Sequence, residues 1–116
     1  MPADKIARTL DTDLVVVGAG ISGVCVAIAA AENGVKVTVL EKGPAVTGRG
    51  IENAAFNSEF QLRKGVKMNR EELAAALLQA SGYRADQVLI NLWLDKSGPA
   101  LDWLTKIAVA GGRGLS

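Results

Sequence analysis

The chain of 116 residues suffices for one small domain with a single core, and its 49% hydrophobic content argues for packing over disorder. A net charge of +1 leaves no basic excess to grip a nucleic acid. With no histidine and one cysteine, Cys25, the sequence excludes histidine-based metal sites, Ser-His-Asp and Cys-His catalysis and an internal disulfide framework, and it suits a reducing compartment.

Leu14 to Ala31 is a run of eighteen uncharged, mostly apolar residues preceded by Lys5 and Arg8. Such a run is near the lower limit for a membrane span, and its "AIAAA" end imitates a signal-peptide cleavage site. Three features oppose both readings. Asp4, Asp11 and Asp13 spoil the basic flank, Gly18, Gly20 and Gly23 interrupt the apolar core, and a second strand-like run, "VKVTVLEK", follows. The stretch therefore reads as strand, turn and helix, with no membrane partner. Leu14 to Val17 is a short, β-branched, fully buried strand. Residues 18–23 form the turn and 24–33 the helix, which Gly34 ends as a C-cap residue able to take positive φ. Residues 35–40 form the second strand. Two strands joined through a helix imply a parallel pair with a right-handed crossover.

The glycines of this turn have separate uses. Gly18 permits the tight turn, Gly20 lets the backbone approach a pyrophosphate, and Gly23 lets helix and strand pack closely. Ala27 is small enough to extend that packing. The helix N-terminus offers free N–H groups and the positive end of a dipole, and Ser22 adds a hydroxyl to the same phosphate site. Glu41 lies 23 residues after Gly18, near the spacing expected of an acid that holds an adenosine ribose. Its carboxylate would accept from both ribose hydroxyls and repel a 2′-phosphate, which disfavours NADP. To this point FAD and NAD fit equally. Cys25, on a helix of small residues, reads as packed rather than reactive.

Residues 57–65 read as loop or short helix. Asn69 is a helix N-cap with Glu72 placed for a capping box, Leu73, Leu77 and Leu78 form the apolar face, and Ser81-Gly82 ends the helix. Residues 85–96 form a further helix with Val88, Leu89, Leu92 and Trp93 inward. Ser97 caps a third, with Leu101, Leu104 and Ile107 inward. Trp93 and Trp103 read as packing residues, and Glu71, Glu72, Asp86, Asp95 and Asp102 as helix surface charge rather than a catalytic pair. The tail "VAGGRGLS" is glycine-rich.

Several segments together resemble the FAD-dependent fumarate reductase and succinate dehydrogenase flavoprotein family, which includes soluble bacterial reductases. They are Val15-Val16-Val17-Gly18-Ala19-Gly20-Ile21-Ser22-Gly23, then Glu41-Lys42-Gly43, then Thr47 to Gly50 with Asn53-Ala54-Ala55 behind it, and "SGPALDWL" from Ser97 to Leu104. The family loop usually reads Gly-Gly-x-Ser/Thr, where this chain has Val46-Thr47-Gly48-Arg49-Gly50.

The resemblance implies an α/β fold: a Rossmann-like βαβ dinucleotide-binding unit over about residues 13–42, a loop over 43–68 and a helical segment over 69–108. Together these would form the N-terminal part of a larger FAD-binding domain. The cofactor implied is FAD. Gly18, Ala19, Gly20, Ser22 and Gly23 would form the phosphate turn, Glu41 would hold the ribose, and Lys42 would lie beside the adenine. Thr47, Arg49 and Gly50 would pass near the pyrophosphate and flavin, with Arg49 equally readable as a solvated loop residue. The activity implied is hydride transfer between reduced FAD and an activated C=C bond such as that of an enoate, with a small-molecule substrate and an electron-donor protein as partners. No catalytic residue is assigned within the chain. Without Arg-Arg or a long apolar core before the first strand, the expected location is the cytoplasm. Two alternatives stay open: an NAD-binding dehydrogenase, and a non-catalytic nucleotide-binding module.

Overall fold

The computed structural model describes residues 8–46 and 54–112. The α/β class read from the sequence is the one observed. The chain divides into two compact units, Met1–Ile51 and Glu52–Ser116.

In the first unit, β1 (Leu14–Val17), α1 (Ile21–Glu32) and β2 (Val37–Leu40) follow in order. The strands pair in parallel, with Leu14 opposite Val37 and Val17 opposite Leu40. Polar groups pin this register at the amino end. The Lys36 carbonyl accepts from the Asp13 N–H at 2.9 Å and from Thr12 Oγ1 at 2.7 Å, while the Lys36 N–H donates to Asp13 Oδ2 at 3.0 Å. At the carboxyl end the Gly18 N–H donates to the Leu40 carbonyl at 2.7 Å. Val16 is buried beneath α1, a burial that contributes about 1.5–3 kcal/mol.

Three expectations need correction. Strand β2 begins at Val37, two residues later than the sequence suggests. Helix α1 begins at Ile21, three residues earlier than the sequence suggests, so Ser22 and Gly23 belong to its first turn and Gly20 is the N-cap. The apolar periodicity that marks a helix cannot register a first turn made of Ile, Ser and Gly. Strand β1 is not buried on both sides: Val15 and Val17 are exposed, Val17 to 84%. Among the described residues of this unit, one face of the two-stranded sheet carries a helix, and alternate side chains point to the other face. At the far end of α1, Asn33 is the C-cap and Gly34 follows it at φ +78°.

In the second unit, α2 (Glu59–Arg63), α3 (Arg70–Ala80) and α4 (Gln87–Ala110) each carry a side-chain N-cap. Ser58, fully buried, forms a reciprocal capping box with Gln61. Asn69 Oδ1 accepts from the Glu71 and Glu72 N–H groups at 2.8 and 3.1 Å, and Asp86 Oδ1 accepts from Val88 at 2.7 Å. Each cap satisfies a donor the helix leaves orphaned. Asn57, at φ +50°, exchanges two hydrogen bonds with the Met68 backbone and so ties down the loop between α2 and α3. Arg70 bridges α3 to α4 through Asp95 at 2.7 Å and Asn91 at 3.1 Å.

The largest departure from expectation is α4. The sequence suggests two helices, over 85–96 and from a Ser97 cap onward, yet one helix of 24 residues runs through Pro99. Pro99 removes one hydrogen bond from the ladder, a disruption of about 3 kcal/mol in an isolated helix. Tertiary contacts on both sides of it offset that cost. Leu94, Gly98, Leu101 and Thr105 make a continuous inward stripe across the proline, with Leu94 only 2% exposed. The Ser97 hydroxyl is engaged elsewhere, accepting the Phe56 N–H at 2.9 Å. A Cβ on Gly98 would run into the Phe56 carbonyl oxygen, so only glycine lets residues 55–58 lie against the helix. Val88, Leu89 and Leu92, expected inward, are exposed, Val88 to 72%, while Trp93 is half-buried. The stripe that includes Leu94 sets the rotation of the helix and turns those three outward.

Candidate functional site

The first unit brings its sequence-singled residues together at the carboxyl ends of its strands. Gly18 follows β1 directly with φ +99°, a conformation that strains any residue with a Cβ. Ala19 is 3% exposed, and its N–H donates to Glu41 Oε2 at 2.6 Å. Gly20 has φ −72° and ψ 178°, ordinary extended backbone. At Gly23 a Cβ would collide with the Gly18 carbonyl oxygen and lie 3.3 Å from Val16 Cγ1. The helix can cross this close to the strand only because Gly23 has no side chain.

Helix α1 differs from the other three in its start. No side chain caps Gly20, and, as in α4, no acid lies in the first turn. The N–H groups of that turn have no intrahelical acceptor, and the positive end of the dipole lies there. Ser22, exposed, sits among them.

Glu41 follows β2 as Gly18 follows β1, which sets the acid against the turn. Its second oxygen, Oε1, accepts the Gly43 N–H at 2.8 Å. The Ala19 N–H above all, then the Gly43 N–H, hold its carboxyl below the ordinary value near 4.5, against an opposing effect of desolvation. Glu41 is thus an anion at neutral pH, and each oxygen keeps acceptor capacity beyond the bond it already makes. Lys42 is exposed beside it. Thr47, Arg49 and Gly50 lie outside the described residues.

Sequence reasoning singled out Glu41 but not the Gly43 amide that holds it. The signal was the pair Glu41 and Gly43 two apart: a Cβ on Gly43 would lie 3.3 Å from Glu41 Oε1, tight enough to push the carboxylate away. The Thr12 and Asp13 contacts that fix the strand register were also missed.

A pyrophosphate fits this arrangement on one observation in particular. A Cβ on Gly20 would meet nothing within 4 Å, so the space over the turn is open to a ligand at the mouth of an uncapped helix. Among the described residues, no group of three or more Asp, Glu or Cys side chains is placed to hold a metal ion. Nor is any described helix long and apolar enough to cross a membrane.

Two parallel strands, a glycine turn opening a helix, and an acid at their common end define a dinucleotide-binding unit. Comparison with known proteins says which kind. A family model described as FAD binding domain matches residues 13–115. The chain belongs to that FAD-binding family, and the resemblance to fumarate reductase flavoproteins holds. Over 108 residues it is 36% identical to urocanate reductase of Eggerthella lenta, covering 90% of this chain and 18% of that protein. It is 32% identical to vinyl phenol reductase of Lactiplantibacillus plantarum, covering 85% and 21%. It is 31% identical to NADH:fumarate oxidoreductase of Klebsiella pneumoniae, covering 79% and 10%. The chain therefore spans between 10% and 21% of the length of these relatives. No solved structure matches.

Proposed function

We propose that this chain supplies the ADP-binding half of the FAD site in an oxidoreductase of the fumarate reductase type. The observation that carries the reading is the meeting of Glu41 with the glycine turn at the carboxyl end of both strands, 2.6 Å from the Ala19 nitrogen. In this reading the first-turn N–H groups of α1 and the Ser22 hydroxyl hold the pyrophosphate, with Gly18 and Gly23 shaping the turn and Gly20 leaving room. Glu41 accepts from the adenosine ribose hydroxyls, and Lys42 flanks the adenine. Thr47, Arg49 and Gly50 belong to the same reading as contacts toward the pyrophosphate and flavin.

FAD when bound supplies two-electron redox chemistry. The whole protein would use it to deliver a hydride to the C=C bond of an enoate, a substrate class suggested by relatives named for urocanate and fumarate. An electron-donor protein and a cytoplasmic location complete the proposal; the single cysteine suits that compartment.

The test is the visible absorption spectrum of the intact polypeptide that carries this sequence, isolated from its source. Oxidised flavin bands that bleach on reduction are the expected result. A colourless protein that binds NAD in competition with ADP-ribose would overturn the FAD assignment. One that binds no nucleotide would overturn the dinucleotide reading altogether.

A further inference from the structure

We infer that Glu41 has a second role as a positioning residue: its carboxylate clamps the glycine turn to the loop after β2, through the Ala19 and Gly43 backbone N–H groups, before any dinucleotide is present. The consequence for affinity rests on the FAD-binding reading. The clamp itself stands on contacts within the chain.

The two arms of the clamp reach different segments. Oε2 takes the Ala19 N–H at 2.6 Å, across 22 residues of sequence, and Oε1 takes the Gly43 N–H at 2.8 Å. Beneath them the Gly18 N–H to Leu40 carbonyl bond, at 2.7 Å, closes the strand pair. Loop, carboxylate and turn thus form one connected set of hydrogen bonds at the place where the strands end.

Ala19 is almost wholly buried, so its N–H is not presented to a ligand. The clamp divides the donors of the turn: Ala19 serves the carboxylate, and the first turn of α1 is left for phosphate. It also fixes the direction of the remaining lone pairs of Glu41. A long, exposed glutamate would otherwise sample many rotamers and be ordered only on binding. Held by two backbone amides, it presents its acceptors already oriented, which is how preorganisation raises affinity. Both partners are backbone groups, so the device depends on the carboxylate and on Gly43 leaving room for it.

Glu41→Gln separates the clamp from the ribose contact. Glutamine keeps the length and still offers an oxygen and an NH₂ to ribose hydroxyls. Its NH₂ replaces one of the two oxygens and would face a backbone N–H donor, so one arm must open. The experiment is amide hydrogen exchange on the intact protein stripped of FAD, with the Leu14 amide of the strand pair as internal reference. We expect exchange at Ala19 or Gly43 to rise about tenfold in Glu41→Gln, the loss of one ordinary hydrogen bond, with Leu14 unchanged. In the wild type, the excess protection of both amides should fade as acid protonates the carboxylate. That pH profile needs no variant and decides the matter if Glu41→Gln does not fold. Unchanged exchange at both amides, or protection indifferent to pH, overturns the clamp even if FAD binds normally. Failure of the wild type to bind FAD removes the functional reading and leaves the clamp to be judged by exchange alone.

Discussion

Replacing Gly20 by alanine separates what the fold requires from what the ligand requires. The position has ordinary backbone angles, and a Cβ there meets nothing within 4 Å. Two opposing effects act on the fold. Alanine is a poorer N-cap than glycine, a loss of about 0.5–1 kcal/mol. It also reduces the freedom of the unfolded chain, a gain of about 0.4–1 kcal/mol. They cancel, so the stability of the FAD-free protein should stay within about 0.5 kcal/mol of wild type. Affinity should not survive as well. A methyl group over the turn holds the pyrophosphate off the α1 N–H groups, and losing one charge-assisted hydrogen bond of about 1.5–3 kcal/mol weakens binding roughly tenfold to a hundredfold. Urea denaturation of the stripped protein measures the first quantity, and flavin fluorescence titration the second. An unchanged Kd would refute the argument, because the pyrophosphate would then lie elsewhere. So would a stability loss large enough to account for the weaker binding.

Gly23→Ala should behave in the opposite way. Its Cβ meets the Gly18 carbonyl oxygen, which the strand pair holds in place, so the overpacking cost of about 1–3 kcal/mol outweighs the helix-propensity gain of up to about 1 kcal/mol. The FAD-free protein should lose stability, and an unchanged denaturation midpoint would show that α1 does not pass this close to the turn. Ser97→Ala leaves the Phe56 N–H unpaired in a half-buried position and should cost about 1–2 kcal/mol, read by the same assay. A near-zero effect would return Ser97 to the surface. For Glu41 the sign follows from its lowered pKa. The folded state favours the anion, so the contribution is complete above the ordinary carboxylate pKa and is lost as pH falls through the lowered folded value. The stability gap between wild type and Glu41→Gln should therefore narrow in acid, whereas a gap of constant size would deny the carboxylate its charge-dependent bonds.

The parts of this molecule that could be read from sequence are those whose causes are local. Leu14 to Val17 carries three β-branched valines and ends at a glycine, so strand and stop are both written within five residues. Asn69 caps α3 by a contact reaching no more than three residues ahead. The parts that could not be read have causes far along the chain. Ser97-Gly98-Pro99 carries the local signature of a helix start, a capping residue two before a proline. What overrides it is Phe56, whose N–H donates to the serine hydroxyl 41 residues away and whose carbonyl needs the missing side chain of Gly98. Val88, Leu89 and Leu92 likewise follow a valid helical period. Which face of that period turns inward was decided by Leu94 and by the segment lying against Gly98.

The four glycines around the acid show why the cofactor site was legible while the helical unit was not. Gly18 is favoured by its positive φ and Gly23 is required by the approach of helix to turn, while a Cβ on Gly43 would press on the Glu41 carboxylate. Each of these reasons lies within the chain. Gly20 alone has neither a special backbone angle nor a neighbour to avoid, yet it stands at an uncapped helix end beside a fixed anion. Glycine is an acceptable N-cap, but a Ser, Thr, Asn or Asp would cap the helix with its side chain, and in the proposed reading the bare position leaves room for a group approaching from outside. The family assignment supplies that group as FAD. In the proposed reading the motif was readable because its spacing answers to the shape of a ligand as well as to the packing of a chain. The Ser97 region encodes packing alone, and its partner must be known before it can be read.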